Sequence, residues 1–259
     1  MAWIARYVAV ALALLVGFQD VAWALSPAQQ AVLLSNGAFT PASIPGLVAA
    51  WRPDQGVSTD GNGITRVNPA WGTSVALTQS GTTEPDLAAG LGPQNQNLFQ
   101  FSVARNEQFN IAVDQTFSTT LTAVWIEAPD VSAIRTVFGS SPATGGNIRH
   151  SLSGGAASAN LTPTVIGGSP TNIALSAGNQ INKNLQVIAM TWDKNDASGT
   201  AKAYVNNVLA GSAVVGTGGF TLNRIGATGT VTNPFQGYMG PILWYNRVLT
   251  TAELTALYN

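Results

Sequence analysis

The stretch Phe235–Asn259, FQGYMGPILWYNRVLTTAELTALYN, joins a β-strand to one amphipathic helix through a short polar break. The strand is predicted at Gly237–Tyr245. Thr250-Thr251-Ala252-Glu253 has capping-box spacing: the Thr250 hydroxyl can accept from the Glu253 amide while the Glu253 carboxylate reaches back. Leu249 and Leu254 stand at hydrophobic-staple positions, and Leu254, Leu257 and Tyr258 form one apolar stripe. So short a helix needs a partner surface for that stripe. The rest of the chain must supply one.

Upstream, from Gly46, short apolar or alternating runs are separated by Gly, Pro, Asn and Asp clusters. They predict strands at Leu47–Trp51, Ile64–Val67, Val75–Gln79, Leu98–Val103, Gln108–Ile111, Thr120–Glu127 and Arg135–Gly139. Further strands are predicted at Ile148–Leu152, Thr164–Ile166, Ile173–Ser176, Gln186–Asp193, Ala201–Asn206 and Thr221–Ile225. Between Gly46 and Tyr245 no window of ten or more residues keeps a 3.6-residue period free of Gly or Pro. Many short strands with turn signals and no βαβ rhythm predict an antiparallel sandwich or jelly roll. Thr120–Glu127 and Gln186–Asp193 are nearly continuous apolar runs, as in central strands covered on both faces. Asn206-Asn207 tolerates the positive φ of a tight hairpin, after which Val208-Leu209-Ala210 returns as a partner strand.

The 259 residues are 46% hydrophobic and only 9% charged, enough for one large all-β domain or two small ones, and no linker divides the body. Ser, Thr, Asn and Gly fill the polar positions, a composition that suits β-rich extracellular or virion proteins. Eleven basic against twelve acidic residues leave no electrostatic footprint for nucleic acid, and no basic cluster points to anionic lipid. The absence of cysteine excludes a disulfide scaffold and thiolate zinc sites.

Met1–Leu25 has the grammar of a secretory signal peptide: Arg6, an apolar run from Tyr7 to Phe18, and the small-x-small Ala22-Trp23-Ala24. The run is short of the roughly 20 residues that span a bilayer. An uncleaved anchor or a buried helix is the alternative. Cleavage after Ala24 is expected, with residues 1–24 removed and no membrane association afterwards. Ser26-Pro27 then opens a short N-terminal helix to about Leu34, and residues 25–45 form a lead-in to a single domain over 46–259.

Three segments together resemble the concanavalin A-like lectin/glucanase superfamily, in its laminin G-like jelly-roll form. The first is Gly46–Trp51 with Asp60-Gly61-Asn62-Gly63 and Val67…Trp71. The second is Leu185–Asp193 with Ala203-Tyr204-Val205-Asn206-Asn207. The third is Arg224-Ile225-Gly226 with Phe235-Gln236-Gly237 and the closing Leu243–Glu253. The resemblance implies an all-β, two-sheet antiparallel jelly-roll sandwich with a C-terminal capping helix. It implies ligands on the concave face or edge loops, and members that bind glycans, proteins or other extracellular surfaces.

Glucanases on this fold carry a Glu-x-Asp-x-Glu strand that sets two glutamates on one face. Here Glu84, Glu107, Glu127 and Glu253 are the only glutamates and none lies in such a pattern. His150, the only histidine, has no Gly-x-Ser-x-Gly elbow beside it. No catalytic residue is therefore assigned. Gly145-Gly146 and Gly167-Gly168 read as turns, because no helix follows to offer its N-terminus to phosphate.

Calcium is the cofactor to consider, with Asp54, Asp60 and Asn62 as hard oxygen ligands, against plain turn chemistry for Asp-Gly-Asn-Gly. Trp71, Arg149 and His150 are the ligand-binding candidates. Trp51, Trp71, Trp125, Trp192 and Trp244 lie in or beside strands, where core packing is the default for an indole and a sugar platform the exception. The reading that results is a non-enzymatic secreted module recognising a glycan or extracellular protein surface, with a homo-oligomer also open. The alternative is a structural protein on a phage virion surface.

Overall fold

The strand pattern resolves into two antiparallel sheets packed face to face. The computed structural model describes residues 41–258, apart from 73–74, 80–82, 93–94, 130–133, 142, 153–156 and 230–232. With strands numbered along the chain, the first sheet runs β17 (Val208–Val214), β16 (Thr200–Val205), β15 (Gln186–Asp193), β9 (Thr120–Pro129), β19 (Gly237–Tyr245), β1 (Leu47–Trp51) and β4 (Trp71–Gly72). In the same sheet β7 (Leu98–Phe101) pairs with β19, and β6 (Asp86–Ala88) with β7.

The second sheet runs β13 (Ile173–Ala174), β12 (Ala157–Thr164), β11 (Asn147–Leu152), β10 (Ile134–Gly139) and β18 (Phe220–Ile225). It continues through β8 (Phe109–Phe117), β5 (Leu77–Thr78), β3 (Ile64–Val67) and β2 (Val57–Thr59), with β14 (Ile181–Asn182) on β12.

Alternation sends Leu121, Ala123 and Trp125 of β9 into the space between the sheets, and Val124 and Ile126 to the outside. Trp51, Trp125, Trp192 and Trp244 are all fully buried in the inter-sheet core. Trp244 meets the rings of Trp51, Phe138 and Phe117 edge-on, with centroids 5.2, 5.3 and 6.0 Å away.

The outer face of the first sheet is covered by the C-terminal helix Thr251–Tyr258. Its Leu254, Leu257 and Tyr258 are buried with Val124, Val187, Ala189 and Leu243. This cover is why β9 and β15 are apolar on both faces. The capping box forms: the Thr250 amide donates to the Glu253 carboxylate at 2.8 Å, and the Glu253 amide to the Thr250 hydroxyl at 3.3 Å. Arg247 grips the same carboxylate and donates to the Pro45 carbonyl at 2.7 Å. Chiefly through the Arg247 hydrogen bond, the Glu253 carboxyl is held down to about 2. The Thr122 hydroxyl donates to the Arg247 carbonyl at 2.7 Å and accepts from the Leu249 amide at 3.0 Å. The link between strand and helix is thereby tied to β9.

Asn206 and Asn207 take φ of 50° and 63° and turn β16 into β17, as expected. Pro241 lies inside β19 where its register against β9 shifts between Met239 and Ile242, the bulged setting in which a strand tolerates proline.

Several expectations need correction. The strand expected at Thr164–Ile166 is instead the end of an eight-residue strand, Ala157–Thr164. Its polar sequence, ASANLTPT, hides a core face in which Leu161 is buried. The strand expected at Gln108–Ile111 runs on to Phe117, because Ile111–Asp114 bulge out against the second sheet and mask the alternation. Leu98–Val103 stops at Phe101, where the 3-10 turn Val103–Arg105 begins. Strands of two or three residues, such as β4 and β14, are too short to show a period. The signal peptide and the short N-terminal helix expected before the domain lie outside the described residues. Among the described residues no helix is long and apolar enough to cross a membrane.

Candidate functional site

The helix covers part of the outer face of the first sheet, and the outer face of the second sheet carries a group of polar side chains. Arg149 stands between Ile148 and His150, both fully buried, so its side chain points outward. Its register partners, Thr136 on β10 and Thr162 on β12, share that face. Arg224 on β18 is opposite Asn110, which is flanked by the core residues Phe109 and Ile111, and opposite Gly139 on β10. The two arginines therefore belong to one face, with β10 between them. A side chain at Gly139 would collide with the Ala227 carbonyl, so that segment packs on the strand there.

This face leaves polar groups unmatched. Among the described residues, the Nε atoms of Arg149 and Arg224, Oδ1 of Asn147 and the Thr136 hydroxyl are buried without a hydrogen-bond partner. Arg149 makes one long contact, from Nη2 to the Thr164 hydroxyl at 3.5 Å. Burial pulls both guanidiniums below their ordinary pKa. They stay charged at neutral pH. Thr162 is tied to the Asn172 side chain at 2.8 Å. Buried polar atoms are normally satisfied, by protein groups or by ordered water.

The remaining candidates lie elsewhere. His150 is fully buried on the inner side of the same strand, with Nε2 3.6 Å from Glu127 and its ring edge-on to Phe235 at 5.9 Å. Trp71, on the edge strand β4, is partly covered by Arg52, whose guanidinium carbon lies 5.4 Å from the ring centroid. Arg52 also holds both oxygens of Asp54, at 2.9 and 2.6 Å. Trp71 and Asp54 thus come together through a residue that sequence reading did not single out.

Asp60 Oδ1 accepts from the Asn62 amide at 2.6 Å, an Asx turn at a hairpin tip. Arg105 donates to the Asn62 carbonyl at 3.2 Å and pairs with Asp86. With Asp54 occupied by Arg52 and a guanidinium against the Asn62 carbonyl, these three residues do not fit a calcium ion as placed. Among the described residues no cluster of three or more His, Cys, Asp or Glu offers another cation site.

The glutamates are internal. Glu84, Glu107 and Glu127 are fully buried, and Glu253 is held in the helix cap. Glu107 accepts from the Ser102 amide at 2.6 Å and pairs with Arg105, yet burial dominates and pushes its carboxyl up to about 7. A carboxyl raised in the folded state destabilises the fold as pH rises from its ordinary 4.5 through about 7. Glu107→Gln should flatten that slope by on the order of 1–3 kcal/mol. Urea unfolding at several pH values between 4.5 and 7.5 measures it; an unchanged slope in the variant would refute the assignment.

Sequence reading found Arg149 but passed over Arg224 and Asn147. Strand alternation around Ile148 and Ile225 was the available signal. What it lacked was the register that sets these residues on one face.

A family model described as the concanavalin A-like lectin/glucanases superfamily matches residues 100–255. No curated protein matches the sequence. Among solved structures, the chain is similar to domain 4 of AbnA, a GH43 extracellular arabinanase from Geobacillus stearothermophilus, in complex with arabinotriose. The TM-score is 0.57 at 17% identity, covering 82% of this chain and 98% of that one. It is also similar to the CBM40 of a Ruminococcus gnavus IT-sialidase bound to α2,3-sialyllactose. That match has a TM-score of 0.41 at 16% identity, over 59% of this chain and 96% of the other. At these identities the likeness to the arabinanase domain is one of fold.

Proposed function

The chain belongs to the concanavalin A-like lectin/glucanase superfamily, and from that premise we propose that it is a non-catalytic, exported module that binds a glycan. The observation that carries this reading is the outer face of the second sheet, where the partly exposed Arg149 and Arg224 share a face with the partly exposed Asn160 and Thr164 of β12. Sugars present hydroxyls in both donor and acceptor roles, which such a mixed polar face is suited to meet. The arabinanase domain with its bound arabinotriose supports the same class of ligand. Burial of three glutamates and capture of the fourth in the helix cap support a binding role over glycoside hydrolysis, which needs two carboxylates flanking the scissile bond. No observation favours the virion-subunit alternative.

The test is a glycan array probed with protein recovered from culture medium, with and without a chelator. The expected outcome is binding to one glycan class and a mature chain that begins at Leu25. An intact Met1 would overturn export by cleavage. Binding lost with chelator would restore calcium to the site. No glycan bound in either condition would overturn the reading.

A further inference from the structure

We propose that Asn62 is a site of spontaneous covalent modification. Its side-chain amide is lost through a succinimide formed with the Gly63 nitrogen, leaving a carboxylate at the tip of the β2–β3 hairpin.

The chain turns from β2 to β3 through Asp60-Gly61-Asn62-Gly63, with Asn62 exposed and Gly63 half-buried. Among the described residues nothing accepts a hydrogen bond from the Gly63 amide, and the Asn62 side chain makes none. The attacking nitrogen and the side-chain carbon it attacks are thus both free of partners. The tip around them is fixed. The Asp60 carboxylate accepts from the Asn62 amide at 2.6 Å, and the Asp60 amide donates to the Gly63 carbonyl at 3.0 Å. Arg105 donates to the Asn62 carbonyl at 3.2 Å. None of these bonds engages an atom that reacts.

The fold itself requires glycine at position 63. Its φ is +149°, and a Cβ there would come within 2.8 Å of the Pro85 carbonyl. The residue after Asn62 therefore has no side chain to shield its nitrogen, and the approach to the asparagine is unhindered.

In the reaction the Gly63 nitrogen gives its proton to solvent base and bonds to Cγ of Asn62, and the side-chain nitrogen leaves as ammonia. Water then opens the five-membered ring at either carbonyl, giving aspartate or isoaspartate. One water enters, one ammonia leaves, and nothing is oxidised or reduced. Both products put a negative charge beside Arg105, which already pairs with Asp86 and Glu107. Isoaspartate also lengthens the main chain by a methylene inside the turn that the Asp60–Gly63 bond closes.

The test ages the intact chain at mildly alkaline pH and body temperature, with peptide mapping by mass spectrometry. Mapping separates Asn62 from Asn36, whose Asn-Gly pair lies outside the described residues. Asn62 should convert to acid at least tenfold faster than Asn106 and Asn195, which are also exposed but precede Glu107 and Asp196. Its rate in the folded chain should stay within about tenfold of its rate in urea-unfolded protein, because an open site gains no protection from the fold. Asn62→Gln, whose longer side chain must close a six-membered ring, should stay unconverted, and near-UV circular dichroism establishes that it keeps the fold.

Conversion more than tenfold slower in the folded chain than in urea would overturn the inference. So would a rate less than tenfold above those of Asn106 and Asn195. Both comparisons use the unaltered chain and stand whether or not the variant folds. Conversion of Asn62→Gln as fast as the unaltered chain would overturn the succinimide route.

Discussion

Deletion of residues 250–259 is expected to leave a chain that no longer unfolds cooperatively at room temperature. The C-terminal helix contributes Leu254, Leu257 and Tyr258 to the apolar layer outside the first sheet. Burying each is worth about 1.5–3 kcal/mol, so the three together approach the 5–15 kcal/mol that holds a typical domain. Removal also strips the cover from Val124, Val187, Ala189 and Leu243. It further breaks the Arg247–Glu253 pair and the 3.0 Å bond from the Asn207 side chain to Thr255. The exposed strip then lies on the central strands β9, β15 and β19, where apolar surface invites aggregation. Thermal melts followed by near-UV circular dichroism measure the effect. A truncated protein with an unchanged Tm would show that the helix is an appendage. Leu257→Ala, a milder change, should lower stability by about 2–5 kcal/mol and keep the fold.

The second large effect is expected inside the sandwich. Glu127 projects from β9 and His150 from β11, so one ionisable group from each sheet meets its counterpart 3.6 Å away in the core. No hydrogen bond reaches either carboxylate oxygen of Glu127 or either ring nitrogen of His150. His150→Phe keeps a ring beside Phe235 but removes the ring nitrogen that lies 3.6 Å from Glu127. Removing one member of a buried polar pair costs about 1–3 kcal/mol, because the remaining group loses its partner. Replacing both partners by apolar residues of similar size is close to neutral. Glu127→Leu combined with His150→Phe should therefore recover most of what the single histidine change loses. Urea unfolding of the two single variants and the double gives the coupling directly. Additive losses would mean that the two residues do not act as a pair.

Arg149 and the histidine of the buried pair share the same strand. In Ile148-Arg149-His150 alternation places neighbours on opposite faces, so Arg149 meets solvent while His150 meets Glu127. The two were candidates together in the sequence, and the fold separates them by the thickness of one sheet. Trp71 alone of the five strand tryptophans considered keeps a partly exposed ring, and Arg52 already lies over it. The sugar contacts proposed here are accordingly polar ones.

Much of the architecture was legible in the residues. The closing strand, the capping box, the helix stripe, the Asn206-Asn207 hairpin and the two central strands are local signals, each contained in a few consecutive positions. Short-range hydrogen bonding and side-chain periodicity determine such features without help from distant parts of the chain. Where a strand was polar and carried proline, as in Ala157–Thr164, or bulged, as in Phe109–Phe117, the period was lost and the reading failed.

What the sequence by itself determined is thus the class of fold and its closing clasp. Tertiary structure alone decided which side of each strand is inside. Alternation states only that neighbours face opposite ways, and β9 and β15 are apolar on both sides. It also decided that Arg149 and Arg224 share a face, through the pairing of β10 with β11 and β18. Register between strands remote in sequence is set by the fit of whole sheets around the core, and no single stretch of residues contains it.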